Sequence, residues 1–500
     1  MIKKLVFLFL LLLFVYLFKG YENKIFSFNF VDEEDNMAIG KYLANGEKLF
    51  SDIYTNHQPM TYIMSAAVQK LTQPNSIPML VKRHREFVFA WSLIWAIFLI
   101  YRFGPFMLFS IVPYELSKHY FIGNLFLAES FAVYPCIYLV ALLYKERKKL
   151  SKKEYLFIGM NSFFLLFSLL PVIPFVCVII LLLVVKKHPV RTHVFSLFLG
   201  FLAIFVVVAY FSSMANYFRD SIYANYKYYI PTGGGSIGQT NYFSLFAPFG
   251  YLFSPLTNSI HINLIKIYSF ILIFNIFVLT VAKKKYFFAV IFLLLGLANF
   301  RSFGIESMSF HLLPWYGLLI FSAVYTSVKL MKTMKNLVLK IVSLIFIVLV
   351  MGVNLFYTKE YFLNKANKDA DAYINFSTPF DYGEAVRIMR NDNDRMFATY
   401  DGSLIYWHSG IDHAVPAVFY YPWMQDVPFI RKSVDNLFAE SPPEFFIYQY
   451  TGRVELDQYL QRYKNVYKDN KPTYLYVLDK KYNLLTKEQY DGLNYYRFSF

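Results

Sequence analysis

The run VFSLFLGFLAIFVVVAYF, residues 194 to 211, has no charged side chain and is too long for a strand or for a half-buried helix of a water-soluble core. A helix needs about 20 mainly apolar residues to cross the hydrocarbon core of a bilayer. Similar runs recur along the chain, in which 57% of the 500 residues are hydrophobic and 16% are charged. A soluble protein of this size could not bury so many apolar segments. The sequence therefore predicts an α-helical polytopic membrane protein.

Eleven segments are predicted to cross the membrane when shorter spans, which tilt and neighbouring helices permit, are accepted. They are residues 4 to 19, 87 to 101, 104 to 118, 123 to 144, 155 to 170, 173 to 185, 194 to 211, 263 to 282, 286 to 300, 309 to 329 and 337 to 357. Two longer blocks, 87 to 118 and 155 to 186, are each divided into a helical hairpin. Pro171 and Pro174 mark the second division, because proline disrupts a helix interior.

The distribution of basic residues predicts the orientation of these spans. The net charge is +16, and the basic residues cluster between apolar blocks, as in KERKKLSKK (145 to 153), KKHPVR (186 to 191) and KKK (283 to 285). Short basic loops mark the cytoplasmic side. Dividing both blocks into hairpins places all these runs on that side, with the N-terminus cytoplasmic and the C-terminus outside. A nucleic-acid partner is not expected, because no basic face is combined with a known reader motif.

The same orientation places three polar segments outside the cell: residues 20 to 86, residues 212 to 262 and the tail after about 358. We therefore predict a transmembrane catalytic domain at 1 to 357 and a soluble extracytoplasmic domain at 358 to 500. In the tail, strand-like runs (MFATYD, EFFIYQY, TYLYVLD) alternate with helix-like runs (GEAVRIMR, ELDQYLQRY). This alternation predicts a small α/β domain with at least some parallel sheet. It contains no glycine-rich phosphate loop.

The first outer loop contains FNFVDEEDNMAIGKYLANGEKLFSDIYTNHQPMTYIM, in which Asp32, Glu33, Glu34 and Asp35 are consecutive. Crowded carboxylates repel one another, so one of the four is expected to have a raised pKa or to bind a cation. Either property suits a general base. The alternative is a solvated loop or a helix N-terminus that favours negative charge, because AIGKYLANG has a helical pattern.

The order of elements in this loop resembles the first loop of GT-C glycosyltransferases, in the branch that contains protein O-mannosyltransferases and the aminoarabinose transferases of lipid A. These elements are an Asp-Glu pair, a short amphipathic helix that ends in glycine, an aromatic-x-Asp-x-aromatic element and a His-x-Pro element. The matching residues are Asp32, Glu33, Gly46, Phe50, Asp52, Tyr54, His57 and Pro59. The chain departs from the pattern in the His-x-Pro element, in which many relatives have a lysine or a second proline and this chain has His57, Gln58, Pro59 and Met60. RSFGIESMSFHLLPWYGLL, residues 301 to 319, is similar to a late span of the family.

The resemblance implies a GT-C-like fold and an inverting transfer of a sugar on the outer face, from a polyprenyl-phosphate-linked donor to a hydroxyl of a protein, lipid or glycan of the cell envelope. Asp32 would accept the proton of that hydroxyl, and Glu33 would orient Asp32 or the acceptor. Cationic groups would stabilise the departing lipid phosphate. The candidates for this contact are Arg301, His57, Arg85 and His311. The alternative for Arg85 and His311 is a side chain that reaches the membrane surface without a ligand.

Two further acids, Asp52 and Glu129, are candidates for acceptor contacts or for metal ligands. Some GT-C enzymes use a divalent cation, and Asp32, Asp52 and Glu129 could supply hard oxygen ligands to Mg or Mn. The second outer loop contains YFRDSIYANYKYYIPTGGGSIG, whose tyrosines are typical of an interfacial aromatic belt. A mobile lid that places Arg219 or Lys227 near the phosphate is the alternative.

Three other functions are compatible with a polytopic chain. A transporter or flippase would be expected to have ionisable residues at mid-span, broken helices in paired positions and an internal repeat. The acids of this chain are predicted to lie in loops and at membrane edges instead. A polysaccharide polymerase or ligase would share the topology without needing the Asp-Glu pair, and a non-catalytic assembly protein would tolerate loss of Asp32.

Overall fold

The structure is a computed structural model, and it describes residues 2–145, 150–232, 249–253, 255, 259–283, 286–298, 309–364, 366–399, 402–449, 454–493 and 496–498. The chain divides into two compact units, neither of which is continuous in sequence. Unit 1 comprises Met1–Ile25, Arg85–Val207 and Gln239–Ala366, and unit 2 comprises Phe26–His84, Val208–Gly238 and Asn367–Phe500. Unit 2 thus combines most of the first predicted outer loop and part of the second with nearly all of the predicted C-terminal domain.

A helix lies at each of the eleven segments that were predicted as spans. These helices are Ile2–Asn23, Ile77–Phe103, Leu108–Ser117, Ala128–Tyr144, Lys152–Leu166, Ile173–Lys187, Arg191–Phe211, Ile260–Lys283, Val290–Ala298, Leu313–Thr333 and Leu337–Leu363. The two predicted hairpins are also present as broken helices. The chain turns at Gly104, whose φ is +104°, and again at the 3₁₀ turn Leu170–Val172, which contains Pro171.

Within the described ranges, six helices are long and apolar enough to cross a membrane. They are Ile77–Phe103, Leu170–Lys187, Arg191–Phe211, Ile260–Val281, Phe310–Thr333 and Leu337–Lys359. In Arg191–Phe211 the most apolar window has a mean hydropathy of 2.7, yet only 11% of it is buried. Water would not stabilise so much exposed apolar surface, whereas lipid would. The protein is therefore a helical membrane protein.

Of the other five predicted spans, Ile2–Asn23 has 22 residues and the remaining four are shorter helices. Ala128–Tyr144 and Tyr286–Ala298 are apolar helical segments below the length of the six. Leu108–Ser117 has 10 residues, so at about 1.5 Å per residue it is roughly half as long as the hydrocarbon core is thick. A total of eleven complete crossings stays a prediction.

Leu313–Thr333 is the central helix of unit 1, because 89% of the most apolar window of the span Phe310–Thr333 is buried. It packs against Ala128–Tyr144, Ile260–Lys283 and Leu337–Leu363. The Asn275 amide joins two of these helices by donating to Thr326 Oγ1 at 3.1 Å and Ser327 Oγ at 2.8 Å. Such polar contacts and close packing hold membrane helices together where the hydrophobic effect between them is weak.

Unit 2 contains the other described α- and π-helical segments and the sheet. Its longer helices are Val31–Ala44, Pro59–Thr72, Lys368–Met389, Ser403–Ser409 and Pro428–Glu440; short helical segments are Met214–Tyr217, Phe218–Tyr223, Asn225–Tyr229, Ile230–Thr232, Val454–Asp457, Asp479–Tyr482 and Lys487–Gly492. The strands are β1 (Arg395–Ala398), β2 (Asp412–His413), β3 (Phe445–Ile447), β4 (Tyr463–Lys468), β5 (Lys471–Leu478) and β6 (Tyr496–Phe498).

The six strands form one mixed sheet in the order β2-β1-β3-β5-β4-β6. β1 is parallel to both β2 and β3, whereas the β3–β5, β5–β4 and β4–β6 pairs are antiparallel. The strand-like runs MFATYD, EFFIYQY and TYLYVLD overlap β1, β3 and β5, and the predicted parallel component is confirmed. β3 is buried along its whole length, as expected for an apolar strand inside a sheet.

Helices Val31–Ala44 and Pro59–Thr72 of the first predicted outer loop pack closely together in unit 2. A Cβ atom added at Gly40 would lie 2.2 Å from Ser65 Oγ, so the helices can approach this closely only because residue 40 is glycine. The Gln69 amide donates to Met37 O at 2.7 Å, and its oxygen accepts the indole N–H of Trp407 at 2.9 Å. These contacts fix the acidic loop against Ser403–Ser409.

Candidate active site

The four acids lie inside the helix Val31–Ala44, with Asp32, Glu33 and Glu34 in its first turn. The residue before the helix, Phe30, is extended and provides no side-chain cap. The unpaired N–H groups and the dipole at a helix N-terminus favour negative charge. The alternative prediction, that the acids occupy the N-terminus of a helix, is therefore correct for the backbone. The acids therefore do not form an irregular loop ahead of the helix.

Asp32 differs from the other three acids in its exposure. Asp32 is half-buried, whereas Glu33, Glu34 and Asp35 are 1%, 4% and 0% exposed. A group that takes a proton from a substrate must come within hydrogen-bond distance of it. Among these four side chains, Asp32 is the one that remains partly accessible.

The buried carboxylate of Asp35 is held by two hydroxyl groups. Ser403 Oγ and Tyr421 OH both donate to it, the latter at 2.8 Å. Burial raises the pKa of Asp35 well above its ordinary value, and the charges of Asp32 and Glu34 raise it further, while the two hydroxyls oppose these effects. The expectation that one of the four acids has a raised pKa is confirmed, and burial contributes more to it than crowding does.

The His-x-Pro element marks the start of the helix Pro59–Thr72, with Gln58 as its N-cap residue. The buried Gln58 side chain accepts a hydrogen bond from Tyr217 OH at 2.6 Å and donates to Ser221 Oγ at 2.5 Å. Gln58 therefore joins this element to the segment after residue 208. His57 is half-buried, and its backbone N–H donates to Thr55 Oγ1 at 3.1 Å.

Asp52 and Tyr54 have contrasting environments. Asp52 is exposed, and its carboxylate accepts the backbone N–H of Lys48 at 2.9 Å, so it stabilises a local turn. Tyr54 is 3% exposed, and its hydroxyl has no hydrogen-bond partner among the residues that the structure describes. It lines a cavity of about 90 Å³ together with Arg219, Asp220 and Phe429.

Arg219, predicted as a phosphate contact in a lid, is paired within unit 2. Its guanidinium donates to Asp220 at 2.5 and 3.1 Å and lies 4.4 Å from the centre of the Phe429 ring. Burial raises the pKa of Asp220, and the charge of Arg219 opposes that effect. Lys227 is exposed and lies 5.4 Å from the Tyr223 ring. The glycines at 233 to 235 lie outside the described residues.

The described part of unit 1 contains three other predicted site residues, and two of them lie together. His311 Nδ1 lies 3.0 Å from Glu129 Oε1, and both side chains are largely buried. Arg85 is 1% exposed and donates to the carbonyl oxygen of Ile25 at 2.6 Å, so it does not reach out along the membrane surface. Arg301 lies outside the described residues.

Sequence reasoning missed a buried ionic network in unit 1. Lys118 Nζ donates to Glu115 at 3.1 Å and to Ser92 Oγ at 2.9 Å. Tyr134 OH and Tyr21 OH donate to the Glu115 carboxylate at 2.5 and 3.2 Å. An ionisable pair within an apolar block was visible in the sequence at positions 115 and 118. The prediction that the acids avoid the spans therefore overlooked Glu115.

The predicted divalent-cation site is not assembled by the described residues. No group of three or more His, Cys, Asp or Glu side chains that could hold a metal ion occurs among them. Asp52, one of the three proposed ligands, instead accepts the Lys48 N–H described above. The comparison with models of known protein families found no match, and the comparison with curated proteins found none either.

Proposed function

We propose that this protein is an integral membrane glycosyltransferase that uses a polyprenyl-phosphate-linked sugar and has Asp32 as its general base. The observation that supports this proposal most strongly is the exposure of the four acids in one helical turn: Asp32 is partly exposed, whereas Glu33, Glu34 and Asp35 are buried. In the proposed topology the chain crosses the membrane eleven times, the N-terminus is cytoplasmic and the acidic turn faces the outer side.

The proposed reaction is a single displacement with inversion at the anomeric carbon. The acceptor hydroxyl oxygen forms a bond to that carbon while the bond from the carbon to the lipid phosphate oxygen breaks. Asp32 takes the hydroxyl proton, and polyprenyl phosphate leaves with the electron pair. Glu33 is nearly fully buried beside Asp32, so its role would be to orient Asp32 or the acceptor.

The leaving phosphate needs a cationic or hydrogen-bonding partner. His57 is half-buried at the start of its helix and remains a candidate, as does Arg301. Arg85 and His311 are weaker candidates for direct contact, because Arg85 donates to Ile25 O and His311 is paired with Glu129. Glu129 would then hold the His311 ring in position.

The test is donor consumption by the full-length protein in liposomes, with a panel of radiolabelled polyprenyl-phosphate sugars. Removal of a general base typically lowers a rate by about 10²–10⁴-fold, so Asp32→Asn should reduce loss of label from the lipid by this factor. Asp435→Asn is the matched control, because Asp435 is an exposed acid of the same unit. Equal turnover by Asp32→Asn and Asp435→Asn would contradict the assignment of Asp32.

A transporter or flippase of lipid-linked sugars is the second candidate, and the buried Glu115–Lys118 pair favours it. Ionisable groups inside a membrane are costly and commonly mark a transport path. The same liposomes distinguish the two functions: a labelled lipid that crosses the bilayer without being consumed, and that no longer crosses it in Glu115→Gln, would establish transport. Consumption of donor that depends on Asp32 would establish transfer.

A further inference from the structure

A cavity of unit 2 is separate from the residues assigned to catalysis. We call it the basic cleft; it has a volume of about 800 Å³, and its lining includes Lys41, Lys70, Arg387, Arg390, Trp407 and His408. Pockets that bind small ligands usually measure about 300–1,000 Å³. The basic cleft is therefore large enough for a solute the size of a short oligosaccharide.

The one carboxylate in the lining, that of Glu384, is already paired. It accepts from Arg387 at 2.8 and 2.5 Å, and His408 Nε2 lies 3.2 Å from it. Within the described ranges no carboxylate lies within salt-bridge distance of Lys41, Lys70 or Arg390. These three cations therefore form no ion pair with a carboxylate among the described residues.

Two of the cations converge on one point in the cleft. Gly410 has φ +69°, and a Cβ atom added there would lie 3.4 Å from Arg390 Nη2 and 3.9 Å from Lys41 Nζ. Lys41 also donates to the carbonyl oxygens of Trp407 and Tyr406 at 2.9 and 3.4 Å, whereas no such bond of Arg390 is found among the described residues. The Arg390 guanidinium has its planar set of donors available for a ligand oxygen.

The pKa of Lys41 reflects the nearby charge of Arg390. The pKa of Lys41 is lowered to about 8, first by burial and then by the charge of Arg390, while Asp412 opposes the shift. The pKa of the neighbouring His408 is also lowered, mainly by burial. An anion between Lys41 and Arg390 would relieve their repulsion.

The C-terminal ends of helices offset part of the positive charge of the cleft. Lys41, Lys70, Arg387 and His408 each lie in the last turn of a helix, and Arg390 is a C-cap residue. Each helix C-terminus carries about half a negative charge. Within the lining, Lys41, Lys70, Arg387 and Arg390 are offset only in part by the Glu384 carboxylate and four helix ends. The cleft therefore favours an anionic ligand.

We propose that the basic cleft binds a saccharide that carries a phosphate or carboxylate group. Arg390 and Lys41 hold the anionic group, and the exposed amides of Asn45, Gln73 and Asn75, which both donate and accept hydrogen bonds, are suited to the sugar hydroxyls. This proposal concerns binding and does not require the protein to be a glycosyltransferase.

The test is calorimetric titration of the full-length protein in phosphatidylcholine nanodiscs at low salt, with glucose 1-phosphate and glucuronate as probes and glucose and inorganic phosphate as comparisons. We expect both anionic sugars to bind more tightly than glucose or inorganic phosphate. Arg390→Gln should weaken their binding by about tenfold or more, because a charge-assisted contact is lost. Lys432→Gln, an exposed cation of the same unit, should bind as the wild type does.

Three outcomes would overturn the proposal. The first is equal binding of glucose and glucose 1-phosphate. The second is binding that Arg390→Gln leaves unchanged although the variant has the wild-type melting temperature. The third is inorganic phosphate binding as tightly as glucose 1-phosphate, which would identify a bare-anion site without a contribution from the sugar. If Arg390→Gln fails to fold, Lys41→Gln removes the other cation that holds the anionic group and provides the same comparison.

Discussion

Asp35 should stabilise unit 2 through its hydrogen bonds and destabilise it through its charge. Its carboxylate is fully buried and accepts from Ser403 and Tyr421. Hydrogen bonds to a charged group contribute about 1.5–3 kcal/mol each. Burial of an ionised carboxylate costs several kcal/mol. The two contributions are of similar size, so they can be separated only by variants that remove one and keep the other.

Asp35→Asn removes the charge and keeps an oxygen that can accept from a hydroxyl. We expect its free energy of unfolding to lie within about 1 kcal/mol of the wild-type value. Asp35→Ala also removes the acceptor and leaves Ser403, which is 1% exposed, without that partner. A buried hydroxyl that loses its partner costs about 1–3 kcal/mol. Asp35→Ala should therefore be clearly less stable than Asp35→Asn.

The pH dependence gives the sign of the charge effect. Burial raises the pKa of Asp35 in the folded protein. The protonated Asp35 therefore contributes its full stabilisation below the ordinary carboxyl pKa of 3.8, and this stabilisation is lost as the pH rises through the pKa of the folded state. Asp35→Asn lacks this titration. The melting temperature of Asp35→Asn should therefore rise relative to that of the wild type as the pH increases from about 4 to 7.

Thermal unfolding of the full-length protein in detergent, followed by tryptophan fluorescence at a fixed scan rate, measures these differences. One kcal/mol shifts the melting temperature by about 2–4 °C in a domain of 150–250 residues. Asp435→Asn, which alters an exposed acid, controls for a change in net charge. The reasoning would be refuted if Asp35→Asn were as unstable as Asp35→Ala at pH 7, or if its relative stability fell as the pH rose.

Two further predictions concern Lys41 and Gly40. The affinity of the basic cleft for glucose 1-phosphate should fall as the pH rises through about 8, where Lys41 loses its charge, and calorimetry should show a flatter pH profile in Lys41→Gln. Gly40→Val should lower the free energy of unfolding by about 1–3 kcal/mol, because its side chain would overlap Ser65. Adding Ser65→Gly to Gly40→Val should recover part of the loss in the same thermal assay, and no recovery would exclude this contact as the cause.

The helices of unit 1 could be predicted because a long apolar run has few other structures available to it. The division of the two blocks followed from the distribution of basic residues, and in the second block also from Pro171 and Pro174; the structure has breaks at Gly104 and at the turn that contains Pro171. Helix length was less predictable: Leu108–Ser117 is only 10 residues long, because the polar turn that includes Lys118 and His119 follows it directly. A mean hydropathy taken over a window of residues includes such a turn, so it does not show where the helix ends.

The site was only partly predictable, because its key contacts join distant parts of the chain. Repulsion among four consecutive acids indicated a raised pKa, yet nothing local to the sequence identified Asp35 as the affected residue. Its environment depends on Ser403 and Tyr421, which are 368 and 386 positions away. The role of Gln58 similarly depends on Tyr217 and Ser221. Periodicity predicts which faces are apolar, but not which distant polar groups will meet.

The basic cleft has a simpler explanation, in which its cations only offset the negative ends of four helices. The two explanations differ in what they predict for stability. If Arg390 only offsets a helix end, Arg390→Gln should lower the melting temperature of the ligand-free protein. If Arg390 is held near Lys41 to bind an anion, its removal relieves repulsion and should leave the melting temperature unchanged or raise it, while weakening the binding of glucose 1-phosphate. Groups that destabilise the empty protein and strengthen ligand binding are typical of binding sites, so this opposite response would favour ligand binding over helix compensation.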